Sequence, residues 1–491
     1  MFYISTRGGA ERKSSAEVIK QGMAADGGLF VPESIPELSE EDIAQLCKAD
    51  YIDRAARILG MYLTDYTQDE LRQSAQEAYS QEKFGAQPAP VRDLGNYKVL
   101  ELWHGPTCAF KDMALQIMPR LLSTALEKTR ETKTTLILVA TSGDTGKAAL
   151  EGYKDVPGIK IMVFYPQDGV SDIQKLQMTS QDGSNVNVCA IRGNFDDAQT
   201  GVKKIFSDPD IKKELADRGY TLSSANSINW GRLAPQIVYY VSAYCDLVNN
   251  GSINLGDQVD ICVPTGNFGN IFAAYLAKEM GLPVRKLICA SNRNNVLTDF
   301  ILTGAYDRNR TFYTTMSPSM DILISSNLER LLYMTCGADE TSECMRLLAQ
   351  NGSYSISAQA KAKIQSVFGA YYATEEDTLA TIKKVFDTYG YLIDTHTSVA
   401  MHAAMNSSDG STPVIVASTA SPYKFGADVL RALTGQAQDA GDFFGIIRRL
   451  KEVSNTDIPY PIAQLESKTP RFTSCTGKAP EEMMERIRAF L

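Results

Sequence analysis

The segment Gln258-Val-Asp-Ile-Cys-Val-Pro-Thr-Gly-Asn-Phe-Gly-Asn270, continued by Ile271-Phe-Ala-Ala-Tyr-Leu-Ala-Lys-Glu-Met280 and Gly281, contains one complete structural unit. The run to Val263 is short and rich in Val and Ile, as a strand buried on both faces must be. Pro264 to Asn270 is a turn-rich loop. Ile271 to Met280 then reads as a helix stopped by Gly281. The same pattern recurs along the chain, with candidate strands at Lys98–Trp103, Thr135–Ala140, Lys160–Phe164, Asn187–Ile191, Lys286–Ala290 and Pro413–Ser418 and helical stretches between most of them. Such alternation predicts an α/β fold with mostly parallel sheets, in which ligands bind beyond the carboxyl ends of strands.

Ahead of this region, residues 1 to about 90 are charged and helix-rich after a turn-rich opening. Ser39-Glu-Glu-Asp-Ile43 has the form of a helix N-cap followed by acids in the first turn. Gln87-Pro-Ala-Pro90 reads as a linker. The expected division is therefore a helix-rich N-terminal domain, 1–92, and a core, 93–491. Glu375–Tyr391 reads as an amphipathic helix with a solvated face.

Composition limits the function. The chain has 491 residues, with 49 Lys plus Arg against 58 Asp plus Glu and a net charge of −9. That balance argues against nucleic acid and anionic membranes as partners, yet leaves room for a small anionic ligand met by a few local donors. Only His104, His396 and His402 are present, and the last two are off the i, i+4 spacing of helical metal ligands. No metal site is expected. The nine cysteines include no C-x-x-C pair, and several sit in apolar runs where a thiol acts as a small hydrophobe. The first residues lack the apolar core of a signal peptide, and no run approaches 18 apolar residues. The expectation is a soluble, cytoplasmic protein.

Four loops follow candidate strands. Trp103-His-Gly-Pro-Thr-Cys-Ala-Phe-Lys-Asp112 puts Lys111 at a helix start, where the dipole repels a cation and desolvation lowers an amine toward neutrality. A neutral amine condenses with carbonyls; the alternative is a surface lysine paired with Asp112. Ala140-Thr-Ser-Gly-Asp-Thr-Gly-Lys-Ala148 fails as a Walker loop, having Thr141 and Ala148 where Gly and Ser or Thr are required. It suits a carboxylate or phosphate, or is simply a capped helix start. In Pro264–Asn270, Gly266 and Gly269 permit positive φ, and the following N–H groups would point at an anion. The spacing is not the dinucleotide fingerprint, and a monophosphate fits better. Ala417-Ser-Thr-Ala-Ser-Pro422 offers hydroxyls to a ligand or to its own turn.

Taken together, HGPTCAFKDMALQ, TSGDTG, PTGNFGN and STASP, in that order and preceded by STRG and GMAADGGLFVP, resemble the threonine synthase family. These are pyridoxal-phosphate enzymes of the tryptophan-synthase-β fold type. The resemblance implies two α/β subdomains around a cofactor cleft, the smaller at roughly 135–240 and the larger formed by the remainder of the core. It implies that Lys111 bears pyridoxal phosphate covalently and that Gly266, Asn267, Phe268 and Gly269 cradle its phosphate, with Asn270 a further donor. Thr419 would meet the pyridine nitrogen. Thr141, Ser142, Asp144 and Thr145 would hold the substrate carboxylate and the cofactor face. Asp144 stands where many relatives carry Asn, which leaves open how the ring hydroxyl is bonded. In Asn226-Ser-Ile-Asn-Trp-Gly-Arg232, Asn229 and Arg232 are substrate candidates. Arg232 suits a phosphate, with a structural ion pair as the alternative.

The implied reaction converts O-phospho-L-homoserine and water to L-threonine and phosphate, with Lys111 as the proton-transferring base. His104 reads as a hydrogen-bonded structural histidine, with assistance to Lys111 as the alternative. The alternatives are another pyridoxal-phosphate lyase or dehydratase, or a ligand-binding homologue without turnover. Monomer and homodimer both remain open.

Overall fold

The computed structural model describes residues 1–491 except 142, 169 and 438–440. All seven expected strands are present, and they fall into two sheets. The larger runs, in spatial order, Phe368–Tyr372, Val284–Ser291, Val259–Pro264, Val414–Ser418, Tyr97–Glu101 and Val91–Leu94. Its first five strands are mutually parallel; only Val91–Leu94, hairpinned onto Tyr97–Glu101, is antiparallel. The smaller sheet is wholly parallel, in the order Cys475–Thr476, Val186–Ile191, Ile159–Pro166, Thr134–Ala140 and Tyr220–Ser223.

The strand Val259–Pro264 is buried at every residue, and so is Val414–Ser418. This is why their sequences are continuous apolar runs rather than alternating ones. Because Val259–Pro264, Val414–Ser418 and Tyr97–Glu101 are adjacent and parallel, the loops that follow all emerge on one side of the sheet. Topology alone thus gathers Gly266–Asn270, Thr419 and Lys111.

One expected boundary requires correction. Residues 475–491, assigned with the larger subdomain, belong to the smaller one. Thr476 pairs with Ile191, the helix Pro480–Phe490 packs its Met483, Met484 and Ile487 into that subdomain's core, and the Phe490 carbonyl accepts from Lys160 Nζ at 3.0 Å. A two-residue strand has no periodicity for a sequence reading to find.

The N-terminal unit contains the helices Ser15–Gln21, Glu40–Cys47, Tyr51–Tyr62 and Gln68–Ala78. Ser39 caps the second of these with a reciprocal bond to Asp42, as its sequence suggested. Two buried arginines hold the unit to the core. Arg54 donates to the Leu46 carbonyl and to Ser242 Oγ and Asp246. Arg330 donates to the carbonyls of Phe30 and Ile228 and to Asn327 Oδ1.

Close packing also sets the lysine loop. Gly152, in the helix Asp144–Tyr153, lies so near the segment after Lys111 that an added Cβ would sit 1.9 Å from the Leu115 carbonyl oxygen. Gly152→Ala therefore forces the two segments apart, and we expect a loss of about 2 kcal/mol or more in urea unfolding. An unchanged unfolding midpoint would show that the contact is slack.

Candidate active site

Lys111 precedes the short helix Asp112–Leu115. Its loop is fastened to the strand-end loop beside it: Phe110 N donates to the Thr419 carbonyl at 2.8 Å, and Ser421 N donates to the Cys108 carbonyl at 3.1 Å. Cys108 takes a left-handed φ of 57° in this loop, a conformation that costs a non-glycine residue on the order of 1 kcal/mol and is held by its surroundings. The Lys111 amine is lowered to about 8, first by burial and then by the cations Arg232 and Lys424, against the pull of Asp144 and Asp112. The expected dipole contribution is minor, since the helix has only 4 residues. Nor does Lys111 pair with Asp112. That carboxylate accepts from Thr107 N at 2.8 Å and Thr107 Oγ1 at 2.7 Å, and burial pushes it up to about 6.

The Gly266–Asn270 loop fits a phosphate. Its carbonyls are held from behind: Ser325 Oγ donates to the Gly266 oxygen at 2.7 Å, and Asn327 donates to the Asn267 oxygen through both N and Nδ2 at 3.0 Å. Its N–H groups, from Gly266 to Asn270, find no acceptor among the described residues. They open the 11-residue helix Gly269–Glu279, whose dipole favours an anion. Asn270 adds a second donor. Its Oδ1 accepts from the hydroxyls of Tyr239 and Tyr240, which aims Nδ2 away from them, and Nδ2 is buried without a partner among the described residues.

Positive φ falls on Phe268, at 62°, and not on Gly266 or Gly269, which would permit it. Gly266 is required for a different reason: a Cβ there would meet the Ser319 carbonyl oxygen at 2.9 Å. Thr419 lies at the end of Val414–Ser418, nearly buried, its hydroxyl without a protein partner among the described residues. Donors for a phosphate, a buried amine of depressed pKa and a free hydroxyl thus stand on neighbouring strand-end loops, tied together through Phe110, Ser319 and Asp144. These residues fit pyridoxal phosphate.

The Thr141–Thr145 loop closes the site from the small subdomain. Thr141 Oγ1 accepts from the N–H groups of Gly143 and Gly146 at 3.0 and 2.9 Å. Ser142 lies outside the described residues. Thr145 is partly exposed and borders a cavity of about 1680 Å³ between the N-terminal unit and the small subdomain. Asp144 differs from its expected role as a substrate contact. Its buried carboxylate is bonded to Lys424 Nζ, accepts from Gln174 Nε2 at 2.9 Å and lies 3.8 Å from Lys111 Nζ. The two lysines hold it well below the usual carboxylate range.

Arg232 is buried, donates to the Ala225 carbonyl at 2.9 Å and forms no ion pair among the described residues. Burial lowers it to about 10, and Tyr153, whose buried hydroxyl also lacks a partner among the described residues, is the one side chain opposing that shift. The ion-pair alternative thus has no carboxylate to rest on. Asn229 is placed otherwise than expected. Its Oδ1 caps the helix Trp230–Leu233 through Gly231 N, and its Nδ2 donates to the carbonyls of Ile19 and Ser224. Its polar atoms are committed to joining Arg232's helix to the N-terminal unit.

Two residues escaped the sequence reading. Lys424 is fully buried in the site yet looks like any lysine in STASPYK. His396 accepts from Ser319 N at 3.1 Å while its Nδ1 bonds Asp394 at 2.8 Å, which sets the Ser319 carbonyl over Gly266. His104 bonds Glu101 at 2.7 Å and stacks on Trp103. Among the described residues there is no cluster able to hold a metal and no helix long and apolar enough to cross a membrane.

Comparison with known proteins accords with this geometry. Family models match residues 2–79 (threonine synthase N terminus), 94–367 (pyridoxal-phosphate dependent enzyme) and 397–487 (threonine synthase, C-terminal). Human threonine synthase-like 1 is 44% identical over 452 residues; the match takes in 88% of this chain but 60% of that protein, so this chain spans less than two thirds of that relative's length. Threonine synthase of Pseudomonas aeruginosa is 40% identical over 445 residues, covering 89% of this chain and 91% of its own. The crystal structure of pyridoxal-phosphate-bound threonine synthase from Brucella melitensis superposes with a TM-score of 0.89 at 36% identity, covering 100% of this chain and 99% of that one.

Burying Lys111 has a cost that depends on pH. Below pH 8 the amine is protonated both folded and unfolded, so the full penalty applies; between about 8 and 10.4 the unfolded chain binds more protons and stability rises with pH. Lys111→Met should therefore stabilise the cofactor-free chain at pH 7 by about 3 kcal/mol in urea unfolding, and the gain should shrink by pH 10. A gain independent of pH would assign it to packing.

Proposed function

The chain belongs to the threonine synthase family of pyridoxal-phosphate dependent enzymes, and from that membership we propose that it converts O-phospho-L-homoserine and water to L-threonine and phosphate. The observation that carries this reading is the pairing of a buried amine of depressed pKa, Lys111, with a buried guanidinium, Arg232, that lacks a carboxylate partner among the described residues. An amino-acid substrate ending in a phosphate supplies what both groups lack.

The residues divide the work. The N–H groups of Gly266, Asn267, Phe268, Gly269 and Asn270, with Asn270 Nδ2, hold the cofactor phosphate, and the Thr419 hydroxyl meets the ring nitrogen. Pyridoxal phosphate, when bound, supplies an electron sink for negative charge developing on the substrate. The Thr145 N–H and the hydroxyls of Thr141 and Thr145 take the substrate carboxylate; the Thr141 N–H is bonded to the Phe164 carbonyl, and Asp144, an anion already bonded to Lys424, is unsuited to that role. Arg232 binds the substrate phosphate through its planar fork.

Lys111 is the one proton carrier the site needs. An amine near 8 is partly neutral at working pH: it takes a proton at Cα and, once that one is released, a second at Cβ. One proton is restored at Cγ as phosphate leaves and one at Cα after water has placed its OH at Cβ, the water's other proton leaving with the phosphate. Because Lys111 and Arg232 are both largely shielded from water, the ionic contacts act at low dielectric, where they are strong.

Purified protein given O-phospho-L-homoserine should release phosphate and L-threonine in equal amounts, and borohydride should fix the cofactor to Lys111. Lys111→Ala should lose about a thousandfold or more in kcat. Arg232→Met should lower kcat/KM about a hundredfold, as expected for a charge-assisted bidentate contact. Release of a 2-oxo acid and ammonia instead would assign the chain to a different lyase chemistry.

A further inference from the structure

Two carboxylates lie close enough to act on Lys111, and each is engaged elsewhere. Asp112, beside it in sequence, is bonded twice by Thr107. Asp144, from the facing subdomain, is in direct contact with Lys424 Nζ, whereas Lys111 Nζ stands 3.8 Å away, beyond hydrogen-bond reach. Lys424 is held firmly in that position. Its side chain is fully buried, its Nζ also donates to the Thr107 carbonyl at 3.1 Å, and its backbone N–H is bonded to the Ser421 carbonyl at 3.0 Å. The Lys424–Asp144 contact crosses the cleft from the Val414–Ser418 side to the Asp144–Tyr153 helix.

We propose that Lys424 is a positioning residue whose buried ammonium occupies the Asp144 carboxylate, which would otherwise close on Lys111 and hold that amine as an ion pair. The inference rests on Lys111 being the cofactor-bearing lysine. One carboxylate among two amines satisfies the nearer one fully and leaves the other without an acceptor among the described residues. Gln174 and Ser319, at 2.9 and 3.4 Å, hold the carboxylate in the shared position. The charged and titratable groups facing Lys111 are Asp144, Asp112, Arg232 and Lys424. Of these, only Asp144 and Asp112 favour its protonated form, and Thr107 already restrains Asp112. The Cys108 thiol beside Lys424 is pushed up to about 12 by burial and carries no charge at working pH. Removing Lys424 thus has a double effect, since a cation is lost near Lys111 and an anion is released toward it.

The test follows capture of pyridoxal phosphate by the full-length chain after its cofactor has been stripped, read as visible imine absorbance against pH. Lys424→Met should move the midpoint for Lys111 upward by about one pH unit or more, slowing capture at pH 7 about tenfold. Lys424→Arg should stay near the parent. The decisive variant is the double one: Lys424→Met with Asp144→Asn should return the midpoint to the parent value, because no carboxylate is left to claim Lys111. A purely structural lysine would give no such rescue. Should Lys424→Met fail to fold, Asp144→Asn alone provides a second measurement and should lower the midpoint. An unmoved midpoint in Lys424→Met, a double variant displaced as far as the single one, or a raised midpoint in Asp144→Asn overturns the inference. Borohydride mapping keeps the two readings apart, since attachment of the cofactor at Lys424 would instead overturn the assignment of Lys111.

Discussion

The arrangement turns on one buried negative charge. Asp144 lies against Lys424 and Lys111, and among the described residues it is the only carboxylate facing Lys111 whose ionised form is strongly favoured. Isolated cations at this depth would be prohibitively costly, and a lone buried carboxylate equally so. Together they are tolerable, with a net positive excess that remains for anionic ligands. A chain of net charge −9 thus concentrates positive potential where it is useful and leaves its acids largely at the surface.

The same interaction joins the subdomains. The Asp144 helix begins in the small sheet's territory, whereas Lys424 and Lys111 follow strands of the large one. The phosphate loop is braced in a comparable way: Arg330 links the Phe30 carbonyl of the N-terminal unit to Asn327, and Asn327 bonds the Asn267 carbonyl. Each binding loop therefore owes its shape to residues far away in sequence, as preorganised sites generally do.

This explains how much could be read from the sequence. Val259–Pro264 and its neighbours were legible because strands buried on both faces leave unbroken apolar runs. The loops after them became legible only when taken together and in order, since each alone reads equally as a surface lysine, a capped helix start or a tight turn. Lys424 was not, since its significance depends on a neighbour 280 positions away across the cleft. Asn229 was misjudged because its amide is consumed by a helix cap and by the Ile19 carbonyl, which only the packed structure shows. At Gly266 the sequence suggested freedom of φ, whereas what the packed structure requires there is clearance from the Ser319 carbonyl. The strand Cys475–Thr476 was too short to carry any pattern.

That strand has a consequence for synthesis. The small sheet takes its edge from Cys475–Thr476, and its core includes Met483, Met484 and Ile487, although its other strands lie between Thr134 and Ser223. On the ribosome the four earlier strands must wait, with the apolar surface around Ile191 and Val202 uncovered, while some 250 further residues are made. Half of the cleft that holds Asp144 is thus completed only when the last helix docks. A chain interrupted before that point would carry every catalytic group and still lack a finished wall behind them.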